Sequence, residues 1–265
     1  AQINLALLSA YSYLCSEMNY NERNSHPRDA ALRFDCESHT YTLGGRVLRS
    51  VTTLVEDQFE RFDAPYWAAR KAIPPQTPEQ LMQLWEDKAR EARDLGTLMH
   101  DRIERYYLGE LADGEGADDS TFRHFLAFAA RHRLQPYRTE WRIYLEECGL
   151  AGTLDFLAIG DDGQFEIWDW KRSSKLIGPD GRPITDNRYG KRALGRLANV
   201  PDCTYWHYAL QVSIYRYILE RKYGISPMRA RLGVFHPDHS TYHIVPLPYL
   251  EREVQALLPP RQCPR

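Results

Sequence analysis

The segment AGTLDFLAIGDDGQFEIWDWK, residues 151–171, constrains the fold more than any other part of the chain. Both of its ends are rich in β-branched, aromatic and other apolar residues that favour strands, and the central Asp-Asp-Gly is a turn sequence. A three-residue hairpin loop with its glycine in the left-handed conformation pairs Ile159 with Phe165. The same register places Asp155 directly opposite Asp169, so the predicted hairpin brings two carboxylates together.

The second strand of this predicted hairpin carries charge within an apolar sequence. Asp169 and Lys171 are two residues apart, so their side chains leave the same face of the strand. Directly opposed Cβ atoms lie about 4.5–5.5 Å apart, and two carboxylates there repel each other unless a positive charge intervenes. Mg²⁺ prefers carboxylate oxygens and water as ligands. The pattern predicts a divalent cation at Asp155 and Asp169 with Lys171 beside it; a solvated hairpin face is the alternative interpretation.

Composition limits the kind of protein. With 265 residues, 43% of them hydrophobic and 26% charged, the chain is long enough for one globular domain with a large core. Its formal net charge of −2 means that any nucleic-acid binding must use a local basic patch. The five cysteines are dispersed and odd in number, which predicts neither a disulfide framework nor a CxxC metal site and favours a cytoplasmic location. No stretch of about 18 apolar residues occurs, so we expect no membrane span.

The rest of the chain predicts a helical first half followed by mixed strands and helices. Residues 1–20 predict a helix, and a Gly-Gly turn predicts a hairpin of short strands before the next helix. The predicted helices then run from Ser50 or Thr52 to about Arg70, from a Thr77 cap to Leu108 with Gly96 as a candidate break, from a Ser120 cap to about Leu134, and from 205 to Gly224. The predicted strands cover 138–146, 151–160, 164–172, 229–236 and 240–247, with a polar segment at 173–204.

Two further pairs of polar residues lie on predicted helices. His100 and Glu104 are four residues apart and share a helix face, where the imidazole could join the cation and would favour Mn²⁺ alongside Mg²⁺. Gln211 and Tyr215 have the same spacing on a helix that is apolar nearly all round. The alternatives are a polar helix face for His100 and a glutamine whose amide is satisfied by local backbone.

Together these residues resemble the PD-(D/E)XK nuclease superfamily, and within it the RecB-like branch. That family has a helix with G-x-x-x-H, often followed by Glu, then strands with G-x-x-D and D/E-x-K, then a helix with Q-x-x-x-Y. The corresponding positions are Gly96–His100 with Glu104, Gly152–Asp155, Asp169–Lys171 and Gln211–Tyr215. The resemblance covers roughly residues 96–215. It implies an α/β fold with a restriction-endonuclease-like core, a mixed central β-sheet flanked by helices and a helical N-terminal portion.

The same resemblance implies one nuclease domain over 1–265, with an N-terminal helical and hairpin portion at 1–95 and a catalytic core at 96–250. It implies Mg²⁺ or Mn²⁺ as the cofactor, held by His100, Asp155, Asp169 and the Trp170 carbonyl. Lys171 would orient or activate the attacking water, and Gln211 and Tyr215 would position DNA or brace the site. Glu104 and Glu140 are secondary candidates. Some relatives carry an iron–sulfur cluster on one early and three clustered late cysteines. This chain lacks the late group, so we expect no such cluster.

The polar segment is also the most basic part of the chain. Residues 171–196 contain eight Lys and Arg residues against two Asp, in a chain of net charge −2. Phosphate neutralisation together with aromatic stacking is typical of nucleic-acid grooves, and a solvated surface loop is the alternative. The predicted DNA contacts are Arg172, Lys175, Arg188, Lys191, Arg192 and Arg196, together with Tyr215.

The resulting expectation is a metal-dependent DNA nuclease that hydrolyses phosphodiester bonds. The resemblance favours an exonuclease acting on single- or double-stranded DNA ends in recombination, repair or phage replication, with recombination or replication proteins as partners and no membrane. An endonuclease, an RNA substrate and a non-catalytic nucleic-acid-binding module with a nuclease-like fold are the alternatives. The sequence does not choose between one and two metal ions, and it does not set the oligomeric state.

Overall fold

A computed structural model describes residues 19–258 and confirms the predicted mixed α/β fold. One eight-stranded mixed sheet lies between helices. Most of the predicted N-terminal helix, residues 1–18, lies outside the described residues. Within 19–258 no helix is long and apolar enough to cross a membrane.

The strands are β1 Leu32–Asp35, β2 Thr40–Leu43, β3 Arg46–Ser50, β4 Gln135–Leu145, β5 Leu150–Ile159, β6 Phe165–Lys171, β7 Arg229–Val234 and β8 His243–Leu247. The sheet runs in the order β1-β2-β3-β5-β6-β7-β8, and β4 pairs with β5. The β3–β5 and β6–β7 pairs are parallel, and the other pairs are antiparallel.

The central strand β5 is paired along the whole of one edge, but its other edge is shared between two strands with a gap between them. Strand β4 pairs along its whole length. On the opposite edge β3 pairs with Leu150 and Ala151, and β6 pairs only from Phe156 to Ile159. Neither strand is paired with residues 152–155 on that edge. The sheet therefore opens beside Asp155.

The β5–β6 hairpin has the predicted loop and register. Ile159 pairs with Phe165, and Gly163 has a left-handed φ of 75°. The predicted direct opposition of Asp155 and Asp169 is wrong as a ladder pair, because pairing stops at Phe156. Beyond that point the amide of Trp170 donates to Asp155 Oδ2 at 2.8 Å, so a side chain takes the place of a backbone partner.

Within residues 19–258 seven α-helices surround the sheet, and their caps explain most of the boundaries. The predicted single helix from Ser50 to Arg70 is wrong, because this segment forms two helices, α2 (Val51–Glu56) and α3 (Ala64–Lys71). Asp63 caps the second one, and Pro65 lies in its first turn, where proline is tolerated. The helices are α1 Tyr20–Arg23, α2 Val51–Glu56, α3 Ala64–Lys71, α4 Pro78–Leu108, α5 Ser120–Arg131, α6 Thr204–Ile218 and α7 Glu251–Leu257.

Helix α4 forms as predicted, whereas α5 differs at both ends. Thr77 and Gln80 form the capping box, and the helix runs unbroken through Gly96 until Gly109 ends it in the left-handed conformation. The predicted Ser120 cap of α5 is wrong, because the Asp119 carboxylate accepts the Thr121 amide at 2.9 Å. Helix α5 ends at Arg131, three residues before the predicted end.

Each sheet face buries its own apolar core. Helices α2 and α6 pack on the face that carries Leu157 and Ile167. Helices α4 and α5 pack on the face that carries Trp168 and Trp170. Because α4 and β6 meet in the second core, His100 is brought to the open edge of β5. Between β6 and α6, the polar segment is held to the first core by the buried side chains of Leu176, Ile177, Leu197 and Val200.

Candidate metal centre

Charged side chains from four elements meet where β5 is unpaired. Strand β4 supplies Glu140, β5 supplies Asp155, β6 supplies Asp169 and Lys171, and α4 supplies His100. The buried side chains of Met99 and Ile103 on α4 pack into the second core and fix the helix. The position of the site thus follows from the divided edge of β5 and from the packing of α4.

The orientation of His100 follows from a backbone contact. Its Nε2 lies 2.9 Å from the Trp170 carbonyl oxygen. A carbonyl only accepts, so Nε2 carries the proton and Nδ1 keeps its lone pair in the neutral ring. Nδ1 lies 3.5 Å from Glu140 Oε1 and 3.7 Å from Asp155 Oδ2. Metal-binding histidines are commonly oriented in this way, with the second ring nitrogen donating to a carbonyl.

His100, Glu140 and Asp155 each offer one ligand atom, and these three atoms lie within 4.8 Å of one another. One nitrogen and two carboxylate oxygens suit Mn²⁺ and are compatible with Mg²⁺. Glu140, a secondary candidate from the sequence, is therefore a full member of the cluster. It lies between the ladder pairs Thr139–Phe156 and Trp141–Leu154, which places it opposite Asp155.

The backbone of Glu140 is unusual. Its φ of 45° lies in the left-handed region, which residues other than glycine rarely adopt. Such a conformation costs on the order of 1–3 kcal/mol and is concentrated at functional sites. No local sequence pattern predicts that Glu140 joins the cluster, because only the pairing of β4 with β5 brings it to Asp155.

Asp169 and Lys171 form a buried pair beside this cluster. Lys171 Nζ lies 2.6 Å from Asp169 Oδ2, and the Asp169 side chain is 1% exposed. Asp169 Oδ1 is buried without a hydrogen-bond partner among the described residues. Asp169 does not belong to the group of three converging ligands. Its unpartnered oxygen is nevertheless an acceptor of the kind that a bound cation or an ordered water satisfies.

The predicted ligand role of Trp170 has a structural alternative. Its carbonyl accepts from His100, and its amide donates to Asp155 at 2.8 Å. Both backbone groups of Trp170 therefore orient members of the cluster. Its side chain is 1% exposed and packs in the second core.

Burial and close charges shift the pKa values of the whole group. Burial lowers the pKa of His100, but the Asp155 and Glu140 carboxylates outweigh it and raise that pKa to about 9. Burial raises the pKa of Asp155, and it raises the pKa of Asp169 to about 6 although Lys171 opposes the shift. Burial opposes the charge of Lys171, but Asp169 and Asp155 raise its pKa above the ordinary value. Buried ionisable groups with shifted pKa values are concentrated at functional sites.

Glu104 lies one helical turn from His100 and outside the group of three ligands. Burial, followed by the nearby Glu140 carboxylate, raises the pKa of Glu104 to about 7. Its carboxyl group therefore titrates near neutrality.

Gln211 and Tyr215 form a brace behind the site. Gln211 Nε2 donates to the Tyr215 hydroxyl at 3.0 Å. A Cβ added at Gly152 would lie only 2.6 Å from Tyr215 Cε1, so glycine permits the close contact of β5 with α6. Sequence reasoning missed Tyr208, whose ring centroid lies 4.8 Å from Lys171 Nζ. Its spacing of three residues from Gln211 on the same helix was the available signal.

The six basic residues proposed to contact DNA lie around the segment after β6. Arg172 is half-buried, and the other five are exposed. Among residues 19–258, Lys191 is the member that forms an ion pair, to Glu60 at 2.8 Å. Arg192 and Arg196 donate to the backbone carbonyls of Asn199 and Ala256. Arg188 contacts the Tyr189 hydroxyl. Three members thus also hold the segment in place: Lys191, Arg192 and Arg196.

No protein-family model matches the chain, and no curated protein matches it. A solved structure described as "Crystal structure of SSO0001" aligns with 79% of this chain and 72% of that chain. The aligned residues are 15% identical and the TM-score is 0.30. A likeness at that level carries no argument about family or function.

Proposed function

We propose that this protein is a metal-dependent DNA nuclease that hydrolyses phosphodiester bonds. The observation that carries the proposal is the convergence of His100, Glu140 and Asp155 beside the Lys171–Asp169 pair, at the opening of the sheet. A divalent cation held by such a nitrogen and carboxylate donor set can polarise a phosphoryl oxygen and activate a water, and the ammonium group beside it can offset negative charge, so the group suits phosphodiester hydrolysis. The motif resemblance supports the same assignment.

His100, Glu140 and Asp155 would hold Mg²⁺ or Mn²⁺, and the unpartnered oxygen of Asp169 is available to the same ion. A bound divalent cation supplies Lewis acidity toward a phosphoryl oxygen and makes a water more acidic. The two backbone groups of Trp170 keep His100 and Asp155 in place. The raised pKa of His100 means that cation binding competes with a proton on this ring.

Lys171 is proposed to act as a positively charged hydrogen-bond donor. The Asp169 and Asp155 carboxylates raise its pKa and so favour the ammonium form. It can donate to a phosphate oxygen or a water, and it offsets the negative charge that grows in the transition state. Asp169, at 2.6 Å, and the Tyr208 ring hold the ammonium in position.

The substrate is proposed to be DNA, bound by the basic segment that begins at Arg172. Exonuclease action on DNA ends in recombination, repair or phage replication is the finer proposal, and it rests on the family resemblance. Labelled linear and covalently closed circular DNA, each with Mg²⁺, Mn²⁺ or EDTA, separate the alternatives. An exonuclease degrades only the linear molecule, whereas an endonuclease also cuts the circle. Labelled RNA, cleaved or not under the same conditions, tests whether the substrate is RNA instead of DNA.

The decisive variant is Lys171→Met, which keeps most of the side-chain length and removes the charge. We expect the cleavage rate to fall about 100-fold or more, because a charge fixed at the reacting phosphate is lost. DNA binding, measured by anisotropy in Ca²⁺, should change little. Lys88→Met, at an exposed position on α4, is the matched control. Wild-type-like cleavage by Lys171→Met would refute the assigned role, and absence of cleavage by the wild-type protein with either metal would refute the proposed function.

A further inference from the structure

Four of the nine histidines lie together on the α5 side of the sheet, outside the metal centre. His236 and His239 lie in the turn after β7, with ring centroids 5.8 Å apart. His243 begins β8, and its ring centroid is 4.9 Å from that of His239. His124 on α5 interacts electrostatically with His236 and His243. We call these four residues the histidine cluster.

The cluster lies at the sheet edge from which the basic segment leaves. Strands β6 and β7 are parallel and therefore end at the same edge. The Phe235 amide donates to the Lys171 carbonyl at 2.9 Å. His239 Nε2 lies 3.2 Å from the Ser173 carbonyl oxygen. Arg172, between these two contacts, interacts electrostatically with His236.

The hydrogen bonds of the cluster show which ring nitrogens carry protons. His236 Nδ1 accepts the Asp238 amide at 3.2 Å, so the neutral ring carries its proton on Nε2. His239 Nε2 donates to the Ser173 carbonyl oxygen, so that nitrogen is already occupied. Of these two nitrogens, His236 Nε2 is the donor that can face an anion. Within the described chain the cluster lacks three ligand atoms that converge as those of the metal centre do, which disfavours a metal site.

The charges that face the cluster come from each element packed against it. Arg172 after β6 and Arg123 on α5 are positive, and Asp238 in the turn is the opposing carboxylate, with Oδ2 3.5 Å from His236 Nδ1. Burial is the largest cause that lowers the pKa values of His124, His236 and His243, and neighbouring cations and histidines lower them further. These rings are neutral above neutral pH and become charged as the pH falls below their ordinary values.

We propose that the histidine cluster, together with Arg172, is a phosphate-binding subsite for the nucleic-acid strand and that acidification strengthens it. The inference rests on the proposed function, because it takes the phosphates to be those of the substrate. In the neutral state His236 Nε2 and Arg172 are the donors, and in the charged state His124, His236 and His243 each add a positive charge beside Arg172. The subsite extends the basic surface from the segment after β6 onto the β7–β8 turn.

The test measures DNA affinity in EDTA, which prevents metal-dependent cleavage, at pH 7.8 and pH 5.0 over a range of salt concentrations, because the lowered pKa values shift charging of the rings to more acidic pH. Each added phosphate contact steepens the salt dependence, so the loss of affinity between 50 and 200 mM salt grows about threefold to fourfold per contact. We expect the wild-type protein to show this steepening at pH 5.0. The triple variant His236→Gln, His239→Gln, His243→Gln should lose it while it still cleaves saturating DNA with Mg²⁺ at pH 7.8.

Two further variants keep the test independent of the folding of the triple variant. Asp238→Asn removes the opposing carboxylate at an exposed position and should tighten DNA binding at both pH values. His39→Asn, in the exposed β1–β2 turn where φ is 49°, is the matched control and should behave like the wild-type protein. Salt dependence that does not change with pH in the wild-type protein would overturn the inference even if cleavage is intact. Tight stoichiometric binding of Zn²⁺ by the cluster without any effect on DNA affinity would also overturn it.

Discussion

At the scale of single residues, Glu140 shows how a site can depend on an unfavourable local conformation. Its φ of 45° costs conformational free energy. Its carboxylate oxygen lies 3.5 Å from His100 Nδ1. Without Glu140, His100 and Asp155 would offer one nitrogen and one carboxylate, which is a weak set for a divalent cation. The strain is therefore consistent with a functional role.

Glu140→Gln keeps the shape of the side chain and removes its charge. We expect the affinity for Mn²⁺ to fall about 10- to 100-fold, within the range seen when groups around a metal are altered. Isothermal titration with Mn²⁺ measures this change. The pKa of His100 should also move down from about 9, because Glu140 is one of the charges that raise it. Glu104→Gln, one turn along α4 from His100 and outside the ligand group, is the comparison. Unchanged Mn²⁺ affinity in Glu140→Gln would remove Glu140 from the site.

At the scale of elements, the contact of β5 with α6 sets how closely the helix approaches the candidate site. Gly152 lies in the unpaired stretch of β5, and Tyr215 of α6 packs directly on it. The Tyr215 side chain is 2% exposed, and its hydroxyl is held by Gln211. A larger residue at position 152 would push the helix, and with it the Tyr208 ring, away from Lys171.

Gly152→Ala is expected to destabilise the protein by about 1–3 kcal/mol, the range typical of overpacked cores. Urea unfolding measures the change, and cleavage should weaken as well because the helix moves. Gly96→Ala is the matched control on α4, where nothing lies within 4 Å of the added Cβ. There alanine should stabilise the helix by about 0.5–1 kcal/mol. Equal stabilities for the two variants would show that the packing at Gly152 does not matter.

At the scale of the whole molecule, ion pairs tie distant parts of the chain to the sheet. Arg28 near the N-terminus binds Glu146 at the end of β4 through Nη2 at 2.6 Å. The side chain of Lys222, after α6, lies 3.6 Å from the same carboxylate. The hydrogen bond from Arg28 is the largest cause that lowers the pKa of Glu146, to about 2, although burial opposes it.

This lowered pKa predicts a loss of stability in acid. Above pH 4.5, the ordinary value, Glu146 is ionised in both states and its contribution is complete. As the pH falls from 4.5 towards 2, the unfolded state binds a proton that the folded state does not, so the contribution is lost. Glu146→Gln should lower stability at pH 7 and make the decline between pH 4.5 and 2 shallower, as chemical denaturation at several pH values would show. Glu37→Gln, in the exposed β1–β2 turn, should leave that decline unchanged.

Local chemistry determined what the sequence could predict. The β5–β6 register follows from a three-residue loop with a left-handed glycine, and the start of α4 follows from the Thr77 capping box. These features depend on residues within a few positions of one another, so periodicity and turn chemistry are enough. The sequence identifies four residues of the site for the same reason, because each belongs to a short spacing pattern on one element: His100, Asp155, Asp169 and Lys171.

Tertiary structure decided which of those residues meet. The pairing of β4 with β5 brings Glu140 to Asp155, and the division of the second edge of β5 between β3 and β6 opens the site. The same division replaces the expected Asp155–Asp169 opposition with a Trp170 amide on Asp155. The return of β7 alongside β6 likewise gathers the histidine cluster beside Arg172. Local sequence patterns do not predict these contacts, because the contacts depend on strand pairing between segments far apart in the chain.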